Sequence, residues 1–476
     1  MKKLVCVLLC AVLLCACAAP VLQAPILISP KPAAADYQVG YGRVSIVPDH
    51  PMALGGHSNA AKRIHTEVLD PLYASAVAVT GQNGESLVLV TVDFCQSNWE
   101  YMTEARSTIA TNLKIPSKNI AISGTHTHSG PAIEIIKEKE PEYLRQLISA
   151  VVKAAESAWE DRSGAELYAS KGQTEGLAFV RHYLHENGEV SGPSMPSVDS
   201  PIVGHTREAD GEVRLLHFKR QGKKDVVLMN YQVHPVINSY KVADIAQMSA
   251  DIVGGVRAYM ETELDCYFAY FQGAAGDLNP DSHIPGEHAT KNLYKYGAKL
   301  GGYAVEAMMN ETRIPAGDVK ASDFVMALPV DKSDMDRLED AKKVKEYRTA
   351  NGDSAAYTYS REMGFVSFHH AESIIARSGY PDSRDVRMNS MQIGSVGLMT
   401  APFELFSDTG VAIREGSPYD MTFVLGYSNG YWAYLPSLHA FTEYYSYEAG
   451  VCRFGPGAAE LLAEEHIKQL KALKGE

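Results

Sequence analysis

The sequence predicts a mixed α/β (α+β) fold, with one or two central sheets flanked by helices in a single large domain that carries a helical insertion. Three observations predict it. Short apolar runs rich in Val, Ile, Leu and Ala alternate along the chain with amphipathic stretches at helical spacing. No internal repeat divides the chain. Its 476 residues are 46% hydrophobic and 21% charged, an ordinary globular composition with ample material for a large core.

Taken in order, the elements begin with an export signal. Lys2 and Lys3 precede an apolar run over 4–14 that is too short to span a bilayer. Leu14-Cys15-Ala16-Cys17 resembles a bacterial lipobox. Residues 1–17 are therefore expected to be a lipoprotein signal peptide, with Cys17 lipidated and the protein held in the cell envelope through a membrane anchor. The alternative is a plain cleaved signal and a periplasmic or secreted protein. Residues 18–36, rich in Pro and Ala, read as a flexible tether. A strand follows at 37–46. The runs 74–79 and 87–92 flank Asn83-Gly84, a hairpin signal. Residues 100–113 read as a helix stopped by Ile115-Pro116. Residues 141–162 form the clearest amphipathic helix, with Leu144, Leu147, Ile148, Val151, Val152 and Ala155 at helical spacing. The runs 213–218 and 226–231 make a second hairpin around Gly222. Residues 250–263 and 291–309 read as helices. Residues 331–377 are charged, helical and poor in core positions, and read as an inserted, lid-like helical pair.

Composition also excludes. The net charge is −13 with no basic run, which argues against nucleic acid as a partner. No segment after the signal is apolar enough to be a transmembrane helix. Four of seven cysteines lie in the signal region, leaving Cys95, Cys266 and Cys452, which make no disulfide framework.

The chemistry-bearing residues follow apolar runs. Residues 119–123 read as a short buried strand, and Gly124-Thr-His-Thr-His-Ser-Gly-Pro131 follows it. Alternation in an extended segment would point His126 and His128 the same way, which suggests a metal or proton-transfer site. The run 226–229 leads to Asn230 and His234, and 267–271 leads to Gly273, Gly276, Asp277 and Asn279. The run 396–400 leads to Glu404, and 423–426 leads to Ser428, Asn429, Tyr431 and Tyr434. Ligands collect beyond the carboxyl ends of strands in sheets that mix strands and helices. His, Glu and Tyr placed there, with His126 and His128, are positioned to converge on one ion. Gly273 to Gly276 lacks the Lys-Ser/Thr that would make it a phosphate loop.

In this order the segments resemble the neutral, non-lysosomal ceramidase family, in its N-terminal catalytic domain. The matching pieces are Gly124–Pro131, Asn230 to His234, Gly276-Asp277 to Pro280, Pro402-x-Glu404, and Ser428-Asn429-x-Tyr431-x-x-Tyr434 followed by Tyr447-Glu448. Arg181 falls where the family places an arginine. The resemblance runs from about residue 37 onward, so 37–476 is expected to be one catalytic domain in a compact bacterial relative. It implies a zinc ion held by His126, His234, Glu404 and Tyr434, and hydrolysis of an amide in a small-molecule or lipid N-acyl substrate by a zinc-activated water. It implies His128 as the group that meets the oxyanion or relays a proton, with Tyr447 and Arg181 orienting substrate or sharing charge. Asn279 stands where ceramidases carry a serine counted among their catalytic residues. Asparagine hydrogen-bonds but cannot be a nucleophile, so a zinc–water route survives the change and a serine route does not. The chain ends at Glu476, where the family continues into an immunoglobulin-like domain. The polar segments 182–187 and 281–283 are expected at the site's mouth. Together these features imply a substrate smaller or more polar than long-chain ceramide. A zinc esterase on the same scaffold and an inactive surface-binding lipoprotein are the alternatives.

Overall fold

In the computed structural model the Asn83-Gly84 signal closes a hairpin. Tyr73–Thr80 pairs antiparallel with Ser86–Val92, and Gly84 takes φ 77° in the turn, a region open to glycine. The described residues are 35–476, apart from 58–59, 97–98, 240–245, 285–286 and 288–289. The expected signal peptide, Cys17 and the tether up to residue 34 lie outside them.

This hairpin explains why its runs read as continuously apolar. Ala74, Ala76 and Ala78 enter one core, whereas Val77 and Val79 enter another. Val88, Val90 and Val92 divide from Leu87 and Leu89 in the same way. Side chains alternate with period two, but both faces are covered.

The hairpin sits in a nine-stranded sheet. Its path runs Tyr267–Gln272, Val226–Tyr231, Glu212–Arg220, Ser163–Gln173, Tyr37–Ser45, Tyr73–Thr80, Ser86–Val92, Ile120–Gly124, with Thr312–Ile314 paired beside Ser163–Gln173. The outermost pair at each end is parallel. The sheet curls until Thr91 Oγ1 donates to the Tyr270 carbonyl at 2.6 Å. A second sheet has four strands, Val319–Pro329, Ser383–Ile393, Val396–Thr400 and Met421–Leu425, the last pair parallel.

Four layers result. Helices Trp99–Leu113, Pro141–Glu160, Ile252–Leu264 and Leu293–Met308 cover one face of the large sheet. The small sheet covers the other. Helices Ser407–Gly416 and Ala458–Lys474 cover the small sheet's outer face. Pro141 opens its helix in the first turn, where a missing N–H costs nothing. That helix buries Leu144, Leu147, Ile148, Val151 and Val152, each contributing about 1.5–3 kcal/mol.

Residues 331–377 hold three helices rather than a pair: Leu338–Asn351, Asp353–Glu362 and Phe368–Ser378. Gly352, at φ 82°, makes the break that divides the first two. The helices enclose a separate core of Ala341, Val344, Ala356, Phe365, Phe368, Ala371 and Ile374. Cys95, Cys266 and Cys452 are free and buried. Among the described residues no helix is long and apolar enough to cross a membrane.

Buried amides lock the two sheets together. Asn230 accepts from Val424 N at 3.1 Å and donates to Val424 O at 3.0 Å. Asn429 N donates to Ile122 O at 2.8 Å, and Asn429 Oδ1 accepts from Ile122 N at 2.9 Å. Leaving such groups unpaired costs about 1–3 kcal/mol each. These bonds hold the carboxyl ends of Ile120–Gly124, Val226–Tyr231 and Met421–Leu425 beside one another.

Candidate metal centre

His126 follows Ile120–Gly124, but the extended alternation stops before it. His126 has φ 66°, a left-handed conformation uncommon outside glycine, held by its N–H donating to Phe94 O at 3.0 Å. This turn, not the pleat, brings His126 Nε2 to 3.2 Å from His128 Nε2. His126 Nδ1 donates to the Cys95 carbonyl at 2.7 Å. A carbonyl only accepts, so the proton sits on Nδ1 and the lone pair on Nε2. His234 repeats the arrangement, with Nδ1 donating to Leu278 O at 3.1 Å. Both Nε2 atoms lie 3.2 Å from Glu404 Oε2.

Glu404 opens the two-residue strand Glu404–Leu405, which pairs in parallel with Tyr434–Leu435 and sets Glu404 opposite Tyr434. The Tyr431 hydroxyl donates to Glu404 Oε1, leaving Oε2 for the imidazoles. The ligating atoms of His126, His234 and Glu404 all lie within 4.8 Å of one another. These residues are 2%, 1% and 2% exposed. Burial opposes Glu404 ionisation, but His126 and His234 outweigh it and hold the carboxyl well below its usual range. His234 is lowered to about 4 by burial and then by Arg181. Burial, then His126 and His57, pull His128 well below its usual value. For His126 burial lowers the pKa, but Cys95 and Glu404 raise it by more. A proton there pairs with the Glu404 charge, and a bound cation would take that proton's place. Cys95, His126 and His128 form a second potential group. It fits less well, because His126 Nδ1 is already given to a carbonyl and burial pushes the Cys95 thiol away from the thiolate a metal needs.

Backbone strain clusters here. Besides His126, Tyr427, Asn429 and Ala433 have positive φ, at about 1–3 kcal/mol each. Tyr427 packs its ring 4.3 Å from that of His126, and Ala433 O accepts from Glu404 N at 3.0 Å. Gly56, at φ 87°, makes room for His128, because a Cβ there would lie 2.4 Å from the imidazole.

The centre forms the floor of a cleft of about 600 Å³. His126, His128, Glu404, Tyr434 and Tyr447 line it, with His57 and Tyr431. The far wall is the helix Phe368–Ser378, through His369, Glu372, Ser373 and Ala376. His57 stands edge-on to His128 with ring centres 5.0 Å apart. Among the described residues, His57 Nε2 and His128 Nδ1 are buried with no hydrogen-bond partner.

Arg181, His234 and Asn279 are buried and are not part of the cleft lining. Arg181 donates to Glu448 Oε1 from Nε at 2.9 Å and from Nη2 at 2.5 Å. His182 Nε2 lies 2.9 Å from Glu448 Oε2. Burial disfavours the Glu448 charge, yet Arg181 and His182 hold its carboxyl well below the usual range. Arg181 also faces Tyr434, with its Cζ 5.4 Å from that ring's centre. Asn279 pairs with Phe179 in a short antiparallel bridge, directly after the Leu278 carbonyl that orients His234. Segments 182–187 and 281–283, expected at the mouth, do not line the cleft. Tyr183–His185 instead pairs with Ile202–His205. The cleft wall comes from residues 368–376, within the segment 331–377 that the sequence marks as a lid-like helical insertion. Tyr431 was visible within the Ser428-to-Tyr434 motif, whereas His57 carries no periodic or spacing signal. A second cavity of about 640 Å³, lined by Glu175, Phe179, His205 and Arg207 among others, holds no comparable ligand group among the described residues.

No family model matches the sequence, and no curated protein matches it. Solved structures do. A structure of a ceramidase complexed with C2 aligns with a TM-score of 0.69 at 15% identity, covering 92% of this chain and 75% of that one. A neutral ceramidase from Pseudomonas aeruginosa aligns with a TM-score of 0.69 at 15% identity, over 93% of this chain and 75% of that one. At this identity the likeness is one of architecture: the chain has the fold of the neutral ceramidases.

Proposed function

We propose that this chain is an exported, zinc-dependent hydrolase that cleaves an amide in an N-acyl compound. The observation that carries the reading is the meeting of His126 Nε2, His234 Nε2 and Glu404 Oε2 at the base of a cleft that His126 and Glu404 line, in a fold shared with ceramidases. The donor set fits zinc. Two imidazoles are fixed in the ligating tautomer by backbone carbonyls, and the carboxylate is steadied by Tyr431. Tyr434, opposite Glu404, completes the protein ligands. Zinc held there supplies a Lewis acid and lowers the pKa of a water.

The chain's own residues do the rest. His128 lies in the cleft beside His126 and is neutral, so it can donate to the developing oxyanion or pass a proton to the leaving amine. Tyr447 offers a hydroxyl from the cleft wall. Arg181 packs its guanidinium over the Tyr434 ring, and Glu448 holds Arg181. Asn279 has no acid–base role; its strand carries the carbonyl that orients His234. Cys17 as a lipid anchor would hold the enzyme at a membrane, and a Cys17→Ala variant should then be released as soluble protein.

The test is turnover of a panel of N-acyl amides and matched esters by metal-loaded and chelated protein. Metal-dependent amide cleavage is expected. Cleavage of esters alone would make the chain an esterase, and tight binding without turnover would make it a binding protein.

A further inference from the structure

The acids and bases of the cleft are unequally paired. Glu404 is engaged by two imidazoles and Tyr431. Glu372 accepts from Arg348 Nη1 at 2.6 Å. Glu134 also has a partner of its own. Arg453 differs. It lines the same cleft and is half-buried, yet among the described residues its guanidinium forms no ion pair and donates no hydrogen bond. Its Cζ lies 5.8 Å from the centre of the Trp432 ring. Arg384 Cζ lies 5.1 Å from the same ring and also pairs with no carboxylate.

Arg384 lies nearer still to the Tyr380 ring, at 4.7 Å, so Arg453 is the cleft guanidinium that meets the Trp432 indole and no described acid. An indole face is a weak partner for a cation at a half-exposed site, whereas a guanidinium is shaped for bidentate contact with an oxyanion. The position of Arg453 is fixed relative to the metal centre. Its carbonyl accepts from Asp331 N at 3.1 Å, and neighbouring Cys452 Sγ donates to the Tyr434 carbonyl at 3.3 Å.

We propose that Arg453 recognises an anionic group on the substrate, so that the preferred N-acyl compounds carry a carboxylate, sulfonate or phosphate. This rests on the reading of the cleft as an amide hydrolase site and names its substrate class; N-acyl amino acids are the simplest members. The expected consequence is a preference set by charge rather than by acyl length.

The experiment uses metal-loaded full chain with N-hexanoylglycine and N-hexanoylethanolamine, which share the acyl group and the amide but differ in charge. Hexanoate release gives kcat/KM for each. Hydrogen bonds to charged groups predict a preference for the glycine conjugate of about 10–100-fold. In Arg453→Gln that preference should fall to within about threefold, mainly through KM, and Arg453→Lys should restore part of it, which loss of packing on Trp432 would not explain. An equal or reversed preference in the parent, or one that survives Arg453→Gln, overturns the proposal. If neither compound is hydrolysed, the amide-hydrolase reading fails instead, and calorimetric binding of the same two compounds decides. Tighter binding of N-hexanoylglycine that Arg453→Gln abolishes upholds the anion site. Equal binding, or none, overturns it.

Discussion

The cleft has a floor made by strand ends and a wall made by the helices of residues 331–377, and the two are held differently. On the floor, His126, His234 and Glu404 are almost wholly buried, and each is fixed by a second partner: the Cys95 carbonyl, the Leu278 carbonyl and the Tyr431 hydroxyl. The backbone there accepts strained φ values at His126, Tyr427 and Ala433 because two locked sheets impose them. On the wall, Glu372 and His369 sit on a helix whose apolar core is small and separate from the sheets. The Arg348–Glu372 pair is 25% and 30% exposed. Rigid strand ends suit chemistry that needs fixed atoms. A semi-independent helical wall suits the choice of substrate, since it can be altered without disturbing the floor.

The sharpest way to break this contrast is to remove the floor's charge. Glu404→Gln is expected to leave the protein folded but unable to retain zinc. Changes one shell further out commonly cost about 10–100-fold, so activity should fall by more than about 100-fold. Metal content by mass spectrometry after dialysis is the check. Full zinc occupancy in this variant would mean that the ion binds elsewhere.

Next in size is the support behind Tyr434. Glu448 is fully buried between Arg181 and His182. Glu448→Gln leaves the Arg181 charge uncompensated and should cost about 3–5 kcal/mol by denaturant unfolding at pH 7. The pH dependence has a definite sign. The folded carboxyl is held below its ordinary 4.5, so its contribution is full above that value and is lost as pH falls through and below it. The gap between parent and variant should therefore narrow on acidification. A gap that does not change with pH would show that Glu448 acts through packing alone.

Tyr431→Phe removes only the hydrogen bond to Glu404 Oε1. Zinc affinity should weaken about 10–100-fold with the fold intact, as measured by competition with a chelator. An unchanged affinity would mean that Glu404 needs no second partner, and the floor would be less pre-organised than its geometry implies.

How far the sequence reached follows the same division. The hairpins at 73–92 and 212–231 and the helix at 141–160 were legible because local turn chemistry and period alone specify them. His126, His234, Glu404 and Tyr434 were singled out by their positions after apolar runs and by the family resemblance, and the fold sets the first three within ligating distance of one another. The reason offered for the two histidines was incomplete, since a left-handed turn at His126 replaces extended alternation. What could not be read depends on contacts between distant segments. The segment 331–377 reads as lid-like, but nothing near Phe368 signals that His369, Glu372, Ser373 and Ala376 would be the residues to face the cleft. His57 gains its meaning only from His128, which packs edge-on against it in the space Gly56 leaves open. Segments 182–187 and 281–283 looked like a mouth because they are polar, but polarity does not say which cavity a loop borders.

The smallest expected effect tests the wall directly. Glu372→Gln removes the carboxylate that Arg348 Nη1 meets at 2.6 Å. A pair this exposed contributes only about 0.2–1 kcal/mol, so unfolding stability should barely move. The residue lines the cleft but touches none of the groups on the floor. Zinc content should therefore match the parent, and any change in turnover should fall on KM, the signature of altered uniform binding. The change also removes negative charge from the cleft wall. If Arg453 selects anionic substrates, KM for a carboxylate-bearing N-acyl compound should fall slightly, while that for its neutral counterpart moves less. Loss of zinc, or a fall in kcat with KM unchanged, would mean that the wall belongs to the catalytic unit after all.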